Sequence, residues 1–312
     1  MSVAGPLPAA GDGRSQVSLA DLIALRARAG RMRMMPLSSR AMRSGQQSSR
    51  LHGRGMDYAE SRVYQAGDDV RRLDWRLTAR SGKLHTKLFQ EDRESSLLIL
   101  LDTHASMHFG TRVRFKSVQA ARAAAAAAWC AVRAGERVGV MAFGQMDQLL
   151  RPQGDSRGAL AVCGALAGWD AQPATSDQAE PLSEALTRAS RVMRGASRVL
   201  LISDGFSCDA LARQRLLDLT RHVQTSVLVV ADPLELSPAP PGRYPLEHDG
   251  ERRDVVLQSD RQREDFRQTL GAGPDRLGHL ARSLGLRWSS IDTTADAFDA
   301  ANSLLALRRA SR

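Results

Sequence analysis

The sequence lacks several features that define common protein classes, and cysteine is the first of them. Its 312 residues include three cysteines, Cys130, Cys163 and Cys208, an odd number without metal-type spacing. This usage argues against a disulfide framework and against a cysteine-based metal site. It is typical of a reducing compartment, so we expect a cytoplasmic protein.

Long apolar runs and nucleotide-binding motifs are missing as well. No run of about eighteen apolar residues occurs, which argues against a membrane-spanning helix. The N-terminal residues M-S-V-A-G-P-L-P-A-A-G-D-G-R lack the continuous apolar segment of a secretory signal peptide. Because the Walker A pattern G-x-x-x-x-G-K-[ST] is absent, we do not expect the chain to be an ATPase itself.

The net charge of +10 is concentrated near the N-terminus. Residues 1–54 carry nine arginines against Asp12 and Asp21, whereas the rest of the chain has a net charge of only +3. Such a basic arm could meet phosphates, anionic lipid or an acidic partner, so nucleic-acid binding stays an alternative function. Residues 1–16 are rich in Pro, Gly, Ala and Ser and are expected to form a disordered tail.

Hydrophobic residues make up 43% of the chain, enough for a sizeable core. From residue 95 onward, aliphatic strands alternate with helical segments. Residues 97–101, L-L-I-L-L, are typical of a strand covered on both faces, and a helix with six consecutive alanines is predicted over residues 113–134. The alternation predicts a doubly wound, mainly parallel α/β sheet over residues 95–312.

A basic arm and a small N-terminal lobe are predicted over residues 17–94. The arm begins with a helix over residues 19–29, with Leu22, Ile23 and Leu25 on one face. Residues 53–94 combine many charges of both signs with interleaved aromatic residues. A nucleic-acid surface would be mostly basic, so we expect a network of arginine–carboxylate pairs here instead.

Two aspartates follow predicted strands and are the first candidates for a functional site. Asp102 ends the 97–101 strand, and Asp204 ends a second aliphatic strand over residues 198–203. Ligands of open α/β sheets bind beyond the carboxyl ends of the strands, so both side chains are expected at one rim. The alternative is that they only cap the turns that follow.

One long motif carries a family resemblance. Residues 64–75, Y-Q-A-G-D-D-V-R-R-L-D-W, and residues 78–80, T-A-R, closely resemble the signature of the domain of unknown function 58 family. Later residues fit the same pattern, including I-S-D at 202–204 and D-P-L-E at 232–235. The motif residues that match are Gly67, Asp68, Asp69, Arg71, Arg72, Asp74, Trp75 and Arg80.

The resemblance implies a von Willebrand factor A-like fold and a role beside a MoxR-type AAA+ ATPase. Domains of this kind often hold Mg²⁺ at a D-x-S-x-S site completed by a loop threonine and a second aspartate. Asp102 matches the first position, Ser106 the last, Asp204 the second aspartate and Thr175 the threonine, while His104 replaces the middle serine. Imidazole suits Mg²⁺ poorly, so the site could be lost, hold Mg²⁺ or Mn²⁺ with fewer ligands, or take a softer metal.

A serine hydrolase is the competing enzymatic interpretation. Residues 154–158, G-D-S-R-G, match the G-x-S-x-G pattern around Ser156, and Asp204 and His222 follow in triad order. We expect Pro152 and Gln153 to interrupt the strand that a nucleophile elbow needs. His104 and Ser106 are also too close along a turn to form a Ser–His pair.

The sequence therefore favours a non-enzymatic interaction module. It would act as an adaptor for a MoxR-type ATPase in chaperone-like assembly or maturation, as the resemblance implies. Hydrolysis through Ser156 and nucleic-acid binding through the basic arm remain the alternatives.

Overall fold

The computed structural model describes residues 11–31, 56–65, 68–91, 95–172, 179–193, 198–248 and 251–305. These residues form two units. The first comprises the described residues of Met1–Leu37 and Ser95–Arg312, and the second comprises those of Ser38–Glu94. None of the described helices is long and apolar enough to cross a membrane.

The first unit is built on a six-stranded sheet. Its strands are β3 (Ser96–Asp102), β4 (Arg137–Phe143), β5 (Gln148–Gln153), β6 (Arg198–Ser203), β7 (Gln224–Ala231) and β10 (Arg287–Asp292). Their order is β10-β7-β6-β3-β4-β5, with only the edge strand β5 antiparallel to its neighbour. The predicted doubly wound, mainly parallel sheet is confirmed.

Helices cover both faces of this sheet. The helices of the unit are α1 (Leu19–Arg31), α3 (Lys116–Arg133), α4 (Asp155–Asp170), α5 (Leu182–Val192), α6 (Ala212–Thr220), α7 (Pro233–Leu236), α8 (Asp260–Leu270), α9 (Ala272–Ser283) and α10 (Ala297–Leu305). Apolar side chains of α1, α3, α4 and α10 form the core on one face, and those of α5, α6 and α9 form it on the other. A hairpin of β8 (Gly242–His248) and β9 (Glu251–Leu257) completes the unit.

The N-terminal segment differs from the sequence-based expectation. Residues 17–31 were expected in a lobe with residues up to 94, but α1 packs into the core of the sheet unit. The indole N–H of Trp129 donates to the carbonyl of Leu22 at 3.0 Å. Residues 11–16, expected to be disordered, form a turn in which the Asp12 carboxylate accepts the amides of Arg14, Ser15 and Gln16. Burial of one face of α1 explains why this segment belongs to the sheet unit.

The second unit is small. Strand β1 (Met56–Val63) pairs antiparallel with β2 (His85–Glu91), and a short 3-10 helix (Val70–Arg72) and α2 (Trp75–Ser81) lie between them in sequence. Gly82 ends α2 in the left-handed conformation, as is common at helix C-termini.

Candidate functional site

Asp102 ends β3 at the carboxyl-terminal edge of the sheet, which we call the rim, and its side chain is fully engaged. One carboxylate oxygen accepts the His104 amide at 3.0 Å and the His104 Nδ1 at 2.6 Å. The other accepts the hydroxyls of Ser203 at 2.5 Å and Ser207 at 2.9 Å. A carboxylate offers about four acceptor positions, so these four donors saturate Asp102.

Asp204, at the end of the neighbouring strand β6, meets a lysine. Lys116, the first residue of α3, is only 1% exposed. Its ammonium lies 2.9 Å from the Asp204 carboxylate and 2.6 Å from that of Glu235. The ring centroids of Phe109 and Phe206 each lie 5.6 Å from the same nitrogen, within the range of cation–π attraction. The rim therefore contains a positive charge supplied by a side chain, the ammonium of Lys116.

Asp232 connects this cluster to the end of β7. Its carboxylate accepts the amide and hydroxyl of Thr111, at 2.9 and 2.5 Å, and the hydroxyl of Thr293 at 3.0 Å. Asp232 also caps α7 in a capping box, in which the Glu235 side chain accepts the Asp232 amide at 2.7 Å. The carboxyl ends of β3, β6 and β7 are thus joined by buried hydrogen bonds.

Two glycines allow the backbone to approach closely at this rim. Gly205 has a φ of +83°, and a Cβ there would lie 2.2 Å from the carbonyl oxygen of Gly273. Gly144 has a φ of +104°, and a Cβ there would lie 2.5 Å from the Nδ1 of His104. Both positions require glycine, because a side chain would be strained as well as obstructed.

Burial and charge shift the protonation equilibria of these groups in opposite directions. Burial alone would raise the pKa of Asp102, but the hydrogen bond and charge of His104 hold it below its usual range. Burial would likewise lower the pKa of Lys116, but the charges of Asp204 and Glu235 outweigh burial and raise it. The pKa of Glu235 is raised by its burial. Lys116 therefore stays protonated between its carboxylates.

The predicted metal ligands are only partly brought together. Asp102 and Asp204 lie at the ends of adjacent strands, as expected. The hydroxyl of Ser106 is buried and makes no hydrogen bond with any described residue. Thr175 lies outside the described residues.

These residues do not fit a divalent cation. Mg²⁺ needs near-octahedral oxygen ligands, whereas both oxygens of Asp102 are occupied by donors and Asp204 is paired with Lys116. The single neutral hydroxyl of Ser106 is no substitute for these carboxylates. Within the described ranges, no group of three or more His, Cys, Asp or Glu side chains could hold a metal.

The hydrolase triad is not assembled. The structure corrects one premise of the sequence argument, because β5 continues through Pro152 to Gln153 and α4 begins at Asp155. Ser156 is exposed beside the amino-terminal edge of the sheet, since β5 runs antiparallel to β4, whereas Asp204 lies at the opposite edge. His222 precedes β7, four strands from β5, or about 19 Å at the usual strand spacing.

The family motif lies in the second unit, where its aspartates stabilise turns and helix ends. Asp69 caps the 3-10 helix by accepting the Arg71 amide, and Asp68 accepts from Arg62 at 2.7 Å. An arginine–carboxylate network was expected over residues 53–94, but Asp74 in that stretch caps α2 and accepts the Ser61 hydroxyl at 2.7 Å. The remaining described motif residues are exposed, namely Arg71, Arg72, Trp75 and Arg80. Gly67 lies outside the described residues.

Sequence reasoning missed Lys116, Ser203 and Ser207 as members of the site. Glu235 was noted only as part of the D-P-L-E segment, although D-x-x-E before a helix is also the pattern of a capping box. Lys116 is separated from Asp204 and Glu235 by 88 and 119 residues, so no local pattern joins them.

Comparisons with known proteins agree with the motif. The model of the family described as "Protein of unknown function DUF58" matches residues 60–273, about two thirds of the chain. An uncharacterized protein of Mycobacterium tuberculosis (strain H37Rv) and one of Mycobacterium bovis are each 41% identical over 91 residues. Each match covers 29% of this chain and 29% of the relative.

Solved structures with a similar arrangement have low sequence identity. An aerotolerance-related membrane protein from Bacteroides fragilis is 16% identical at a TM-score of 0.43, covering 67% of this chain and 96% of that one. BatB from Bacteroides thetaiotaomicron is 17% identical at a TM-score of 0.42, covering 68% and 97%. The SpRpn10 VWA domain is 10% identical at a TM-score of 0.36, covering 67% and 94%.

Proposed function

This chain belongs to the DUF58 family, and from that premise we propose that it is a non-catalytic module that binds a partner protein at the rim. The partner implied by the family resemblance is a MoxR-type AAA+ ATPase, and the process is chaperone-like assembly or maturation. The chain matches only 29% of the length of its curated relatives, so the ATPase and the process rest on the resemblance.

The observation that carries the proposal is the contrast between the interior and the surface of the rim. The buried carboxylates beneath the rim are paired with donors from the same chain. The loops above them expose large apolar side chains, namely Val113 after β3, Phe206 and Leu211 after β6, and Leu236 after β7. Exposed apolar side chains at one edge are typical of a protein-binding surface.

A groove in this surface suggests which partner chemistry fits. It has a volume of about 460 Å³ and is lined mainly by apolar and proline residues of the 233–240 segment, together with Arg112, Asp292 and Thr294. The Asp292 carboxylate already accepts hydrogen bonds from Thr294 and Ala295, which leaves Arg112 as the charged group open to a partner. Arg112 is exposed and pairs with none of the described carboxylates. The groove therefore suits a partner segment that combines apolar side chains with an acidic residue.

The test is to titrate the purified MoxR-type ATPase of the same organism into this protein by calorimetry. Leu236 is 44% exposed at the groove, and Leu160, on α4 near the opposite edge of the sheet, is 41% exposed. Leu236→Ala should weaken binding about tenfold, the loss expected for a buried interface leucine. Leu160→Ala, the matched control, should bind as the wild type does.

Equal affinities of the two leucine variants would refute docking at the rim. Absence of binding in the wild type would instead refute the ATPase as partner. Arg112→Glu should bind more weakly than the wild type, because the proposed partner segment carries an acidic residue. Stronger binding by this variant would show that the segment is basic instead.

We propose a cytoplasmic location, which the three unpaired cysteines support. Nucleic-acid binding depends on the basic arm, most of which lies outside the described residues, and stays a prediction.

A further inference from the structure

We infer that the ammonium of Lys116 plays the electrostatic role that a divalent cation has in metal-binding domains of this architecture. We also infer that this rim binds neither Mg²⁺ nor Mn²⁺. The inference concerns the free protein and does not rest on the proposed partner. Lys116 neutralises Asp204, and donors from His104, Ser203 and Ser207 occupy Asp102 at the adjacent strand end.

Burying Lys116 at this position would lower the stability of the fold unless its charge were compensated. Its ammonium is almost completely buried, and an unpaired charge in that environment would be strongly destabilising. Lys116 is also the first residue of α3, where the helix dipole disfavours a cation. Among the described residues, the carboxylates of Asp204 and Glu235 and the faces of two aromatic rings compensate for these costs.

The donors around Asp102 lead to the same conclusion independently. A cation bound there would have to displace the backbone amide or the imidazole of His104, or the hydroxyl of Ser203 or Ser207. Ser203 is itself fixed, because it also accepts the Gly205 amide at 2.9 Å. The carboxylates of Asp102 and Asp204 are thus each neutralised by groups of the same chain.

His104 is therefore one of several obstacles to metal binding. Replacing it by serine restores the D-x-S-x-S pattern but leaves Lys116 against Asp204. We therefore expect His104→Ser to bind no more Mg²⁺ or Mn²⁺ than the wild type, as measured by calorimetric titration of each ion. Saturable one-to-one binding by the wild type or by His104→Ser that is abolished by Asp102→Asn would overturn the inference.

Removal of the ammonium supplies the complementary test. Lys116→Ala leaves two buried carboxylates unbalanced, and its melting temperature should fall by about 10 °C. Added Mn²⁺ should raise the melting temperature of Lys116→Ala but not of the wild type, because only the variant has carboxylates free to bind it. Arg221→Ala, which breaks the exposed pair with Asp218, is the control and should melt as the wild type does.

A second variant covers the case in which Lys116→Ala does not fold. Lys116→Met/Asp204→Asn removes one charge of each sign and keeps most of the side-chain volume, so it should fold and melt above Lys116→Met. Melting of Lys116→Met at the wild-type temperature would show that the buried ammonium is not needed and would overturn the inference.

Discussion

His104 stands where the metal-binding pattern has a serine, and its contacts show what the replacement does. Its Nδ1 lies 2.6 Å from Asp102, and its ring packs edge-on against Phe143 at a centroid distance of 5.9 Å. Burial alone would lower the pKa of His104. The hydrogen bond to Asp102 and the charges of Asp102, Asp204 and Glu180 outweigh burial and raise it.

The raised pKa predicts a pH dependence of stability. A histidine whose pKa is higher in the folded state stabilises the protein fully below its unfolded pKa of 6.5. That contribution is lost as the pH rises through the folded pKa. His104→Gln should therefore lower the free energy of unfolding by about 2 kcal/mol below pH 6.5, the contribution of one charge-assisted hydrogen bond, and by less at higher pH.

Urea unfolding at a series of pH values measures this difference, and an NMR titration of the His104 ring gives its pKa directly. A titration midpoint at or below 6.5 would contradict the raised pKa of His104.

Single residues also show how far the sequence could predict this site. Asp102 and Asp204 were predicted at one rim because each follows an aliphatic strand, and the parallel pairing of β3 with β6 brings them together. Lys116 could not be predicted, because a lysine near the start of a helix is usually solvated. Its burial depends on partners that are distant in sequence.

At the scale of single elements, helix α3 shows how a run of alanines packs. The six alanines 123–128 predicted a helix, but they did not predict that all six would be completely buried. Small side chains on every face let α3 pack against the sheet and against α1, α4 and α10. A helix that is apolar all round is a buried helix, and the packing of α1 on α3 completes that burial.

The buried face of α1 differs by one residue from the predicted face. Leu22, Leu25 and Ala29 are buried, whereas Ile23 is 38% exposed. The observed spacing of three and four residues is that of a helix face, which the adjacent pair Leu22 and Ile23 cannot share.

Adjacent residues of α1 therefore provide a matched test of its docking. Leu22→Ala should lower the free energy of unfolding by about 3 kcal/mol, because it removes a fully buried leucine. Ile23→Ala should lower it by less than about 1 kcal/mol. Denaturant unfolding curves compare the two variants, and equal losses would mean that α1 is not held on α3 in solution.

At the scale of the whole molecule, the sheet and its two edges can be compared with what the sequence predicted. Strand and helix alternation was enough to predict the sheet, because parallel strands buried on both faces have a distinctive sequence pattern. Membership of α1 in the sheet unit could not be predicted, because it depends on contacts with residues about a hundred positions away, such as Trp129. The rim combines the buried Lys116 cluster with exposed apolar loops, and the amino-terminal edge has a buried ion pair of its own.

That ion pair joins three parts of the fold. Arg198, the first residue of β6, forms two hydrogen bonds with Glu136, which precedes β4, and donates to the carbonyl of Leu305 at the end of α10 at 3.0 Å. Both charged side chains are buried. Removing one partner of such a pair leaves the other charge uncompensated in the interior.

Arg198→Met should therefore lower the free energy of unfolding by about 3–5 kcal/mol. It should leave the affinity of the folded protein for a partner at the rim unchanged, because the pair lies at the opposite edge of the sheet. Denaturant unfolding and calorimetric binding of the MoxR-type ATPase measure the two quantities on the same variant. A folded Arg198→Met protein with weakened binding would mean that the two edges are coupled, and that the amino-terminal edge contributes to more than stability.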